Sequence, residues 1–242
     1  MDRIAAALEL TVRPVAIYRS AEIPADADVP QGHCSIPPLL LKCARTGKKC
    51  AADKAHIYCH GAVSGFGFGG IPDRESTACA MSTGVPGSKH PAKLHFRNPD
   101  IAKARLSGIP DIGDGNDAIV FQDLGEAEAE KRPVEVVVFI ADPTRISALA
   151  QLASFGYEGE GQAVIMPYGH ACQQIYAIPA GEGMKEHPRA VVGFTDLYAR
   201  RYIDRDKMTF AVPYSLYRRM EADVPSSFMG AEGWKDTLGR CL

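Results

Sequence analysis

The sequence predicts an α/β or α+β domain built around one mixed sheet with a single clear βαβ unit. Three observations carry this. Residues 134–140 (VEVVVFI) form a nearly continuous apolar run, the pattern of a strand buried on both faces. Asp142 and Pro143 then open a helical stretch that closes at Gly156, with proline inside the start and glycine past the end. The short strand VIM (Val164–Met166) follows, so this region reads as parallel strands joined by a right-handed crossover.

The other elements follow in chain order. Thr11–Arg19 (TVRPVAIYR) is β-branched and apolar, and Pro14 points to an edge strand. Pro38–Arg45 reads as a short helix ended by Gly47. His56–Cys59 reads as an extended piece running into a glycine-rich loop, GAVSGFGFGG, from Gly61 to Gly70. Residues 83–100 form a basic loop, followed by a helix over Pro99–Leu106 and a strand over Ala118–Gln122. The acidic run GEAEAEKRP reads as a solvated turn, and residues 126–132 are the candidate subdivision of one domain over 1–242. A helix from about His170 carries Cys172, and Ala190–Phe194 and Met208–Val212 are strands. Helices over Tyr214–Glu221 and Ala231–Arg240 finish the chain.

Bulk composition narrows the function. A 242-residue chain that is 46% hydrophobic and 23% charged has ample core for a globular domain. A formal net charge of -2 and no interleaving of basic and aromatic residues argue against nucleic-acid binding. No apolar run approaches a membrane span, and the first residues lack a signal-peptide core, so the expected location is the cytoplasm. In that reducing compartment the seven cysteines read as metal ligands, catalytic thiols or packing groups rather than disulfides.

Several segments point to a family. They are TVRPVAIY, the Cys34 to CARTGKK segment, YCHGA with GFGFGGIP, STGVPG, VVFIADPTRISALAQLASF and PYGHACQQI. PRAVVGFTDLYARRY, MTFAVPYSLYRRME and SSFMGAEGW complete the set. Together they resemble the uncharacterised prokaryotic family called domain of unknown function 169, collinearly from about Thr11 to Trp234. The resemblance implies a single α/β-type domain and recurring cysteines at Cys34, Cys59 and Cys172. Cys43, Cys50 and Cys79 are less typical of it.

Three or four thiolates on a soft metal are the usual solution for iron–sulfur clusters and structural zinc. Zinc knuckles deliver ligands in close pairs, whereas the first five cysteines here are separated by eight, six, eight and nineteen residues. The expected centre is therefore an iron–sulfur cluster of the 4Fe-4S type, with Cys34, Cys43, Cys59 and Cys172 as ligands. Gly61, Gly65, Gly67 and Gly69 are expected to bring main chain close to it. With three thiolates, one iron is open to a small molecule; a redox partner protein is the alternative client. His33, His60 and His170 each accompany a candidate thiol.

Two other readings remain open. One is a metal-free thiol enzyme with Cys59 or Cys172 as nucleophile beside a histidine. The other is a small-molecule binding module using the glycine segment and the Asp196–Arg201 stretch, where Arg200 and Arg201 grip an anion. No HExxH motif or nucleophile elbow is present.

Overall fold

The computed structural model describes residues 2–32, 36–69, 73–112 and 117–241. They form a mixed α/β fold on one seven-stranded sheet. Its strands are β1 (Val15–Ser20), β2 (Cys50–Ala52), β3 (Ala118–Asp123), β4 (Val136–Ala141), β5 (Val164–Ile165), β6 (Ala190–Gly193) and β7 (Met208–Pro213). Their order across the sheet is β2-β3-β1-β4-β7-β6-β5. All the pairings are antiparallel except that of β5 with β6.

Two antiparallel steps separate β4 from β6, so β4, β6 and β5 run the same way. The expected βαβ unit is present as β4, helix α7 (Pro143–Phe155) and β5, but its crossover passes over β7 and β6. The Asp142 side chain caps α7 by accepting the Arg145 N–H at 3.0 Å, Pro143 occupies the first turn, and Gly156 follows the end.

The run that made β4 legible is explained by burial on both faces. Val136, Val138 and Ile140 face one core, and Val137 and Phe139 face the other. The first core is covered by α2 (Ile36–Thr46), α3 (His60–Gly65) and the π-helical turn Gln173–Ala177, through Leu40, Ala62 and Ile175. The second is covered by α1 (Arg3–Ala7), α7 and α9 (Tyr214–Asp223), through Ile4, Leu149 and Leu216. Burying each leucine contributes about 2 kcal/mol. A small satellite core joins α4 (Arg74–Met81) to α5 (Pro99–Ser107) through Ala78, Met81, Ala102 and Leu106.

Several expectations are corrected. β1 is an interior strand between β3 and β4 rather than an edge. Pro14 lies just before its first paired residue, where a missing N–H costs no ladder bond, and the Pro14 carbonyl accepts the Leu124 N–H at 3.1 Å. The acidic run is not a solvated turn throughout. Leu124–Ala129 forms helix α6, capped by Asp123, with Leu124 and Ala127 turned into the core. It joins two strands that both pair with β1. The glycine segment opens as α3 rather than as a loop. The short elements α1, β2 and α4 carry no periodicity long enough to announce them. The chain continues through α8 (Ile178–Gly183) and ends in α10 (Trp234–Cys241). Among the described residues no helix is long and apolar enough to cross a membrane.

Candidate functional site

The parallel pair β5 and β6 ends where open α/β sheets commonly place their sites, in the crevice beyond the carboxyl ends. A cavity of about 200 Å³ lies there. It is lined by residues 168–172, which follow β5, by Asp196, Tyr198, Ala199 and Arg201, which follow β6, and by Cys59 and Gly61 at the start of α3. Pro37 of α2, Met81 of α4, Lys93 and His95 line it as well. Cys59 and Cys172, far apart in the chain, therefore reach one enclosure.

Cys59 occupies the N-cap of α3 with an extended backbone, and its side chain makes no capping bond. Cys172 is nearly buried, directly before the π-helical turn. Such turns widen a helix by one residue and recur at functional sites. Helix α3 approaches this turn through glycines one helical turn apart. A Cβ on Gly65 would sit 2.8 Å from the carbonyl carbon of Cys172, and one on Gly61 would sit 3.0 Å from the His170 ring. The glycines thus let two backbone segments meet. Gly61 lines the cavity, whereas Gly65, Gly67 and Gly69 do not. Gly67 and Gly69 turn the chain away from α3 with φ of 70° and 150°.

Two buried glutamines lock these parts together. Gln173 donates to Ser64 Oγ of α3 at 3.0 Å and accepts the His170 N–H at 3.2 Å. Gln174 donates to the Pro167 carbonyl at 2.7 Å and to Thr195 Oγ1, and accepts the Thr195 N–H at 3.1 Å. Below them Phe66 stacks on Tyr176 at 5.3 Å, and the Tyr176 hydroxyl donates to Glu135 at 2.6 Å while accepting from Arg19 at 3.1 Å.

Two loops at the cavity hold non-glycine residues in the left-handed region: Phe194, fully buried, at φ 63°, and Leu94 at φ 55°. Such residues cost about 1–3 kcal/mol each and concentrate at functional sites. Phe194 precedes Thr195 and Asp196, and Leu94 separates Lys93 from His95. The Asp196 carboxylate accepts the N–H groups of Ala171 at 3.4 Å and Tyr198 at 3.0 Å.

Burial lowers the pKa of His170, opposed by the charge of Asp196. Burial and then Lys93 lower that of His95. Both rings are therefore neutral at neutral pH. Burial and Asp196 push the Tyr168 phenol up to about 12, and its oxygen lies 2.5 Å from His95 Nδ1. The neutral phenol is placed to donate to the unprotonated His95 ring, which fixes both side chains at the cavity.

The remaining expected residues are dispersed. Cys34 and His33 lie outside the described residues. Cys43 is fully buried on α2 in the first core, away from the cavity lining, and burial followed by Cys50 raises its pKa. Burial pushes Cys50 on β2 up to about 11. Cys79 lies on α4, its sulfur 4.0 Å from Glu75. His60 is exposed at the first position of α3. The arginine pair divides: Arg200 donates to the carbonyls of Lys207, Asp204 and Arg205, while Arg201 lines the cavity. Among the described residues no three histidine, cysteine or carboxylate side chains are grouped as a metal site. Lys93, His95, Tyr168 and Tyr198 were not legible as site residues; the one signal was the basic character of residues 83–100.

A family model for domain of unknown function 169, described as "Uncharacterised ArCR", matches residues 3–223. No curated protein and no solved structure matches the chain.

Proposed function

The chain belongs to domain of unknown function 169, and we propose that it binds an iron–sulfur cluster in the cavity between α3 and residues 169–172. The observation that carries this reading is that Cys59 and Cys172, far apart in the chain, line one cavity. Cys34 is the third proposed ligand. It lies outside the described residues and is included because the family resemblance implies a recurring cysteine there. Cys43, buried away from the lining, is left out of the ligand set.

Two of the three proposed donors, Cys59 and Cys172, line the cavity, and their chemistry suits the group. Thiolates suit iron–sulfur clusters, and cluster sulfurs accept backbone amides. With three thiolates, a cubane supplies one open iron as a Lewis acid for a small molecule. The protein's own part is to exclude water and hold that molecule, with His95 and Tyr168 offering it hydrogen bonds. The client is a small-molecule substrate or a redox partner protein, and the thiols suit the reducing cytoplasm.

One observation favours a second reading, metal-free thiol chemistry: neutral His170 lies two residues from Cys172 on the same wall. Alkylation distinguishes the two. In protein purified without oxygen, the cluster reading expects Cys59 and Cys172 to resist iodoacetamide until a chelator strips iron. One thiol that reacts rapidly with no metal present would replace it with the thiol-enzyme reading.

A further inference from the structure

Among the described residues that line the cavity, two cations, Lys93 and Arg201, face one carboxylate, Asp196. Lys93 and Arg201 both line it, and neither forms an ion pair with a carboxylate among the described residues. Lys93 Nζ lies 5.5 Å from the Tyr198 ring, and the Arg201 guanidinium lies 4.8 Å from the Tyr202 ring. Only one guanidinium donor is engaged by a side chain, at 2.8 Å to the Tyr202 hydroxyl. The one carboxylate among the described lining residues is Asp196, and it is occupied by the Ala171 and Tyr198 amides.

From this arrangement we infer that the cavity receives a small anion, a carboxylate- or phosphate-bearing molecule, held by Lys93 and Arg201 with its remainder directed toward Cys59 and Cys172. The inference rests on the cavity being the working site proposed above, and it names the class of substrate. A guanidinium offers paired donors to a carboxylate or phosphate, and an ammonium adds a point charge. Drug-sized ligands occupy pockets of about 300–1,000 Å³, so a cavity of about 200 Å³ that is shared with the proposed cluster leaves room only for a small ion. His95 and Tyr168, in contact with each other at 2.5 Å, line the same cavity.

Isothermal titration calorimetry of the anaerobically purified protein with malonate and with inorganic phosphate, against a sodium chloride control, tests this. One of the two anions is expected to bind, and which one binds assigns the carboxylate or the phosphate. Lys93→Ala and Arg201→Ala should each weaken that binding by tenfold or more, with Lys93→Arg recovering most of the affinity and iron content unchanged. No binding above the chloride control, or affinity unchanged in both alanine variants, would overturn the inference. Alanine variants that lose iron while keeping the anion would also overturn it, because the cations would then serve the metal centre. Protein that holds no iron yet shows the expected pattern would remove the cluster and leave the anion site standing.

Discussion

Gly65 has no room for one more carbon. Its hydrogen faces the backbone of Cys172, and a methyl there would lie at 2.8 Å from atoms that cannot swing aside. Gly65→Ala should therefore lower stability by about 1–3 kcal/mol. Gly61→Ala, whose Cβ would meet side-chain atoms of His170 at 3.0 Å rather than backbone at 2.8 Å, should cost less. Paired thermal melts check the ordering, and equal losses would contradict it. The sequence showed these glycines as a loop able to cradle a ligand. Small residues one helical turn apart leave the same trace, and only the neighbour they touch tells the cases apart. Asp2 offers a second test at this scale. It caps α1 through one oxygen, at 2.9 Å from the Ala5 N–H, while its other oxygen is buried without a hydrogen bond. Burial, with Glu221 adding, pushes its carboxyl up to about 6. A folded-state pKa above the unfolded one stabilises below the unfolded value and loses that stability as pH rises through the folded value. Asp2→Asn should thus raise stability at pH 8 by on the order of 1–3 kcal/mol and gain nothing at pH 4, as read from urea midpoints.

The π-helical turn and its two glutamines hold the cavity's walls in register. Gln174 ties Pro167, after β5, to Thr195, after β6, and reinforces the direct bond from Thr195 Oγ1 to the Pro167 carbonyl at 3.4 Å. Removing a buried hydrogen-bonding side chain strands its partners at about 1–3 kcal/mol. Gln174→Ala should lower the melting temperature accordingly and open residues 195–201 to limited proteolysis; cleavage at the wild-type rate would show that the clamp does not hold that loop. Elements were legible in proportion to length and capping. Helix α7 announced itself through Asp142, Pro143 and Gly156, and β4 through its unbroken apolar run. Helices α3 and α6 are single short turns rich in glycine or glutamate, so their buried side chains were too few to show a period. Pro14 misplaced β1, because a proline one residue outside a ladder looks like one inside it.

For the whole molecule, the sheet order brings the carboxyl ends of β5 and β6 against α3, and that alone unites Cys59 with Cys172. Local spacing holds no trace of such convergence. The sequence marked both thiols by their histidine neighbours, but it also marked Cys43, which the first core absorbs. Lys93, His95 and Tyr198 come from loops whose meeting is set by topology. The central claim is the cluster, and the most direct measurement is a visible spectrum with iron and sulfide assays on protein purified without oxygen. The account predicts a broad thiolate–iron absorption with about four iron and four sulfide per chain. It also predicts that Cys59→Ser and Cys172→Ser are bleached while Cys43→Ser keeps its colour. A colourless wild-type protein that takes up no iron on anaerobic reconstitution would contradict it.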